Sequence, residues 1–254
     1  MELYPLRSKL VKEGDSLAAS VSRAIETSNR KVRTGDIIAV ASKVVSVSEG
    51  RILPLSTVRP SSYSLRLGKQ YALAPQFAEV VINEADQIYG GVKGALLTLK
   101  DGQATANAGV DQKNSPDNSV VLWPTNAGKS ALQLQRSIGE RTGAKIGVMI
   151  IDSRVTPLRL GTIGLPLATV GFKSVRDFRG KHDLYNRRIR ITLQSVGDGI
   201  AAAAHLLMGE SREQVPFVLV RDAPVEVDGT RGINQKMRVE DCLYMSQIQA
   251  YPRN

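Results

Sequence analysis

Three short stretches of the 254-residue sequence carry the residue types that phosphate and metal chemistry needs. The first is Asn107-Ala108-Gly109-Val110-Asp111-Gln112-Lys113-Asn114. Its glycine lets the backbone approach a ligand, and its amides and carboxylate supply oxygen ligands and hydrogen-bond donors close together. The same composition also makes an ordinary polar turn, and spacing alone does not choose between the two. The second is Asp152-Ser153, where a carboxylate beside a hydroxyl at a strand end can hold Mg²⁺ or Mn²⁺ together with a phosphate oxygen. Capping of the following turn is its plainer role. The third is Gly209-Glu210, past a helix end, which adds a carboxylate of a type more often found solvated on a surface.

Other chemistries find little support. The single cysteine, Cys242, excludes an internal disulfide framework and thiolate metal cages, and fits a reducing, cytoplasmic setting. Two histidines, His182 and His205, stand at no paired metal spacing, so zinc hydrolysis is not indicated. Gly128-Lys129-Ser130 is like the end of a phosphate-binding P-loop, but Trp123 occupies the place of the first glycine and Pro124 interrupts the approach. It reads as a helix start. Asp198, three residues after Ser195, reads as part of a capping box rather than as a catalytic acid.

A formal charge of +10 predicts an anionic partner. The basic residues are scattered and aromatics are 5%, which favours small phosphorylated or carboxylated substrates over nucleic acid. Neither a secretory pattern at Met1-Glu2-Leu3-Tyr4-Pro5 nor a bilayer-length apolar run is present in the sequence, so no membrane partner is expected.

Elements must position these residues. Asp36-Ile37-Ile38-Ala39-Val40-Ala41 has a buried-strand pattern, which the alternation Val45-Ser46-Val47 extends to the turn at Ser48-Glu49-Gly50. Leu17, Val21, Ala24 and Ile25 predict a helix behind Asp15 or Ser16, and Phe77, Val80, Val81 and Ala85 another after Pro75. Residues 95–99 read as a strand. Residues 125–143 contain the clearest helix, leading into an apolar strand, Lys145 to Ile151, that stops at Asp152. A Gly-rich stretch from Gly161 to Gly180 precedes a strand at 189–193, a helix through Ile200 and Leu207, a buried strand at 216–220 and a short helix around 239–248. This irregular alternation supports an α/β (α+β) fold with mixed sheets and flanking helices, and a single catalytic unit. In open α/β sheets ligands gather at the carboxyl ends of strands, which is where this reading puts Asp152.

The strings themselves go further. Gly35-Asp36-Ile37-Ile38 with Ser48-Glu49-Gly50-Arg51, then Asn107-Ala108-Gly109-Val110-Asp111, then Asp152-Ser153-Arg154, resemble the coenzyme F420-0 γ-glutamyl ligase family. The likeness continues through Gly180-Lys181-His182-Asp183-Leu184-Tyr185 and Leu207-Met208-Gly209-Glu210, in order, over residues 10–221. It implies a catalytic domain at 8–221 with a C-terminal extension at 222–254, and an intertwined homodimer. It also implies a cytoplasmic enzyme that uses GTP and two Mn²⁺ or Mg²⁺ ions to add L-glutamate to the deazaflavin F420-0. Carried over by motif, Asp111 and Asp152 are catalytic and resemble ligands of one ion, and Ser153 and Glu210 those of a second. Nucleotide contacts are implied for Ser8, Lys9, Leu10 and Val11, for Ser42 and Lys43, for Asn114, and for Met208, Gly209, Glu210, Ser211, Arg212, Glu213, Gln214 and Val215.

The chain also departs from the pattern. Val47 stands where relatives carry a nucleotide-contacting lysine, and Lys43, four residues earlier, would project from the same face. Ser153 replaces a threonine, Asn186 a glycine, and Gly199 the acidic residue that usually follows the aspartate. Thr156-Pro157-Leu158-Arg159 lacks the usual aromatic-plus-arginine form. These differences keep two alternatives open: a folate acceptor with the same chemistry, and a degenerate nucleotide-binding homologue.

Overall fold

The structure, a computed structural model, describes residues 1–229 and 236–251. Along the chain come β1 (Glu2–Leu6), α1 (Leu17–Thr27), β2 (Ile37–Ala41), α2 (Ser42–Ser48), β3 (Ile52–Pro54), α3 (Ser62–Tyr71) and α4 (Pro75–Glu84). Then follow β4 (Gln87–Val92), β5 (Ala95–Lys100), β6 (Gln103–Ala106), β7 (Ser119–Val121), α5 (Ala127–Thr142) and β8 (Gly147–Val155). The last are β9 (Thr162–Val170), β10 (Val175–Asp177), β11 (Leu193–Ser195), α6 (Val196–Met208) and β12 (Phe217–Arg221). Single 3₁₀ turns punctuate them. The mixture of sheets and helices is an α+β architecture.

The chain forms two compact units. Residues 1–48, 126–153 and 162–229 make the first. Its five-stranded sheet has the order β1-β12-β2-β8-β9, with β1 and β2 antiparallel to β12 and β8 parallel to β2. The inner strands β2 and β12 are apolar and buried almost throughout, as a sheet covered on both faces requires. One face carries Ile37, Ala39, Met149, Val218 and Val220, packed with Ile200, Ala201 and Ala204 of α6. The helices start where side chains can accept the orphan amides: Ser16 caps α1, Asn126 caps α5 and Ser195 caps α6. The reading of Ser195 as a cap and of 128–130 as a helix start therefore holds.

Residues 49–125, 154–161 and 236–251 make the second unit. An antiparallel meander β4-β5-β6 and the pair β3-β7 share a core with α3 and α4 built on Leu67, Phe77, Val81, Ile88, Leu96 and Val120. Tyr251 packs against this core and donates a hydrogen bond from its hydroxyl to Gln70. Of the expected 222–254 extension, residues 222–229 thus fall with the first unit and 236–251 with the second.

Several element assignments need correction. Val45-Ser46-Val47 is helix, not strand. The hydroxyls of Ser46 and Ser48 bond back to the carbonyls of Ser42 and Val45, so the valine–serine alternation is absorbed within α2. Strand β8 does not stop at Asp152 but runs on to Val155; what stops is its pairing with β2, at Ala41 and Ile151. The glycines between 161 and 180 hid β9, whose interior is buried and apolar. At 189–193 the apolar alternation finds ladder partners only from Leu193, and Ile191 remains largely exposed. The expected helix at 239–248 is two separate 3₁₀ turns.

Candidate functional site

The register of the first sheet brings several candidate segments to one end. Leu6 pairs with Phe217, Phe217 with Val40, and Ala41 with Ile151. The exit of β1 (residues 8–11), the approach to β12 (208–215), the exit of β2 (Ser42 and Lys43) and Asp152 on β8 therefore lie along a single edge. Backbone bonds stitch these together: Ser8 N–H donates to the Gln214 carbonyl at 3.3 Å, and Ala41 N–H to that of Pro216 at 2.9 Å. The Arg7 guanidinium donates to the Glu213 carbonyl at 3.0 Å.

Along this edge the Ser42 hydroxyl donates to Asp152 Oδ1 at 2.6 Å. Ser42 is buried and Asp152 half-buried, so a fixed hydroxyl sets the rotamer of a carboxylate that solvent still reaches. Glu210 follows the C-terminus of α6. Its carboxylate accepts from the Thr162 hydroxyl and lies 3.1 Å from His205 Nε2. Neither partner was singled out for this by sequence, since Thr162 is distant in the chain and His205 reads as covering a helix face. Glu213 turns back on its own loop: Ser211 N–H donates to its Oε2 at 2.8 Å. Backbone amides, its own and that of Ser211, hold its carboxyl below the usual range.

In the second unit the candidate residues belong to a turn. Asp111 forms backbone bonds with Val121, and its Oδ1 accepts from Lys113 N–H at 2.8 Å. Asn107, Ala108 and Asn114 all take positive φ, a conformation asparagine tolerates better than most residues. Gly109, at φ +72°, is required for space as well: a Cβ there would stand 2.0 Å from Trp123 Nε1. Arg154 lies 5.2 Å over the Trp123 ring and donates to Gln103, so the residue after Ser153 helps to fix this turn's floor. The role of Trp123 has no counterpart in the sequence reading.

Although the basic residues read as scattered along the sequence, the exposed arm around β10 and β11 groups Arg176, Lys181, Arg188 and Arg190. Asp177 and Asp183 there are held ionised, the first by the Arg179 side chain and the second by the Arg187 backbone amide.

Among the described residues no group of three or more His, Cys, Asp or Glu side chains is gathered to hold a metal ion. The donors present at the candidate positions are oxygens, the set that suits a hard ion such as Mg²⁺ or Mn²⁺ rather than zinc. Successive strand residues face opposite ways, so Asp152 and Ser153 stand on opposite faces of β8.

Comparison with known proteins gives this arrangement a class and then a family. The profile that the chain matches, over residues 5–222, describes a ligase, and the chain is an enzyme of that class. Its description is "F420-0:Gamma-glutamyl ligase", and the chain belongs to that family. Proteins named Coenzyme F420:L-glutamate ligase from Methanopyrus kandleri and Archaeoglobus fulgidus are similar to it. The first is 34% identical, covering 91% of this chain and 90% of the relative. The second is 33% identical, covering 96% of each. A protein of the same name from Methanothermobacter thermautotrophicus is 32% identical over 85% of this chain and 86% of its own length.

Proposed function

We propose that this enzyme joins L-glutamate to coenzyme F420-0 at the expense of GTP. The observation that carries the reading is the meeting, at one end of one sheet, of residues 8–11, Ser42 and Lys43, Asp152 and Ser153, and 208–215. These are the segments for which the family resemblance implies nucleotide and metal contacts. Phosphoryl transfer needs little covalent help from a protein, and much positioning and charge stabilisation.

The acceptor carboxylate would attack the γ-phosphorus of GTP, forming a carboxylate–phosphorus bond as the bond to GDP breaks. The glutamate amine then attacks the acyl carbon, the amide forms, inorganic phosphate departs and the amine loses a proton. Asp111 and Asp152 would serve one ion, Ser153 and Glu210 a second. Such ions neutralise charge developing on the transferred phosphoryl group. Ser42 orients the Asp152 carboxylate, Asn114 and Lys43 contribute to holding the nucleotide, and the basic arm concentrates anionic reactants.

The fully exposed Leu158, Leu160 and Leu184 suit contact with a second copy of the chain, in line with a homodimer. No helix among the described residues is long and apolar enough to cross a membrane, and a lone cysteine fits the cytoplasm.

Incubation of the protein with glutamate, GTP and Mn²⁺ or Mg²⁺, with F420-0 or a folate as acceptor, tests the assignment by product mass. A glutamyl adduct of F420-0 is the expected result. Product from the folate alone would transfer the chemistry to that acceptor. Nucleotide hydrolysis indifferent to either acceptor would mark a degenerate homologue. Light scattering tests the dimer.

A further inference from the structure

Asp111 stands on a floor supplied from outside its own motif. Its main chain exchanges hydrogen bonds with Val121, Asp111 N–H to the Val121 carbonyl at 3.0 Å and Val121 N–H to that of Asp111 at 2.8 Å. Strand β5 holds the start of the turn: Ala108 N–H donates to Thr98 Oγ1 at 2.7 Å, and Leu96 N–H to the Asn107 side-chain oxygen at 2.8 Å. Beneath lies the buried Trp123, its pyrrole edge set so close to Gly109 that any side chain there would enter the ring. The Trp123 carbonyl accepts from Arg51 Nε at 3.1 Å, and Arg51 is bridged in turn to Glu84 at 2.9 Å. Arg154, also buried, lies over the indole and donates to Gln103, the first residue of the strand that runs into the turn. Burying a guanidinium costs desolvation that a contact with a ring face recovers only in part, and an apolar side chain of similar length would fill the space without that cost.

We propose that Arg154 and Trp123 are positioning residues: the guanidinium clamps the indole against Gly109, and the indole fixes the turn that aims the Asp111 carboxylate at its metal ion. This rests on the reading of Asp111 as a metal ligand and adds what holds that ligand in place. The clamp lies within the second unit, so its loss should loosen the turn locally rather than unfold the chain. Groups that orient a metal ligand from behind contribute about 10- to 100-fold to metal affinity.

Two measurements on the full chain test this. Arg154→Met keeps the stem without the charge, Arg154→Lys keeps a cation over the ring, and Trp123→Phe narrows the floor. In calorimetric titration with Mn²⁺ alone, the methionine variant should bind about ten-fold more weakly than the wild type, the lysine variant should recover part of the loss, and the phenylalanine variant should also weaken. In hydrogen exchange read by mass spectrometry, peptides covering 104–113 should exchange about ten-fold faster in the methionine variant, while those covering 77–84 in α4 keep the wild-type rate. Acceleration in both regions would make the clamp a general stabiliser and overturn the proposal. Weaker Mn²⁺ binding with exchange unchanged would trace the effect to charge rather than to the turn, and overturn it too. Mn²⁺ binding lost in Asp111→Asn but kept in Arg154→Met would leave the metal reading intact and remove the clamp. If the wild type ignored Mn²⁺ while exchange rose at 104–113 alone, the clamp would stand and the metal reading would fall.

Discussion

The two ends of the five-stranded sheet treat their charged residues differently. At one end Asp36, 1% exposed, receives Arg221 in a two-pronged bridge, Nε to Oδ1 at 2.9 Å and a terminal nitrogen to Oδ2 at 2.7 Å. The backbone amide of Arg33 adds a third bond to that carboxylate, and Arg221 donates further to the Lys31 carbonyl. The Asp36 carboxylate raises the Arg221 pKa above the usual guanidinium value. At the other end Asp152 is half-buried and accepts from the neutral Ser42 hydroxyl at the start of α2. Charge satisfied from within serves the fold, whereas charge oriented but still within reach of solvent can serve a ligand.

That contrast can be broken by substitution. Arg221→Ala strands a buried carboxylate and should destabilise the fold by about 3–5 kcal/mol, read from urea denaturation. Arg221→Met with Asp36→Leu should restore most of the loss, because a well-packed apolar pair needs no partner charge. If instead Arg221→Ala left stability unchanged and removed activity, the division between the two ends would be wrong.

Asp152→Asn keeps volume and removes charge. Turnover should fall roughly 100- to 1,000-fold while the denaturation midpoint barely moves. Asp111→Asn should behave alike. Full activity in both would remove the metal assignment. Ser42→Ala acts one step further out, through the Asp152 rotamer, and should lower turnover about ten-fold. An effect of Ser42→Ala on stability alone would make its hydrogen bond a structural one.

Legibility in the sequence followed from distance along the chain. The runs at 37–41 and 147–151 and the helices at 75–84 and 127–142 declare themselves through local periodicity. The pairings that give them meaning do not. Ser42 and Asp152 are 110 residues apart, Asp36 and Arg221 185, and no pattern in a single sequence links such positions. Strand β9 lies within the stretch from Gly161 to Gly180, which reads only as Gly-rich, and burial by its neighbours makes it a strand. Each of the two units is likewise assembled from three separated stretches of chain. Candidate residues could be named from their motifs, but their partners Thr162, His205 and Trp123 could not.

Helix α2 offers the finest test of the open end of the sheet. Lys43 and Val47 were expected on one face of a strand; as residues four apart in a helix they share a face for a different reason, one turn of rise. Both are half-buried beside the β2 exit. A charge-assisted contact to phosphate at such a place is worth about 1 kcal/mol, so Lys43→Ala should raise the KM for GTP about five-fold with turnover little changed. Val47→Lys added to that variant places an ammonium one turn along the same face and should recover most of the loss. Nucleotide affinity untouched by Lys43→Ala would show that the charge lost at position 47 is not supplied from position 43. A KM effect that Val47→Lys cannot repair would confine the contact to the first turn of α2, next to Ser42 and Asp152.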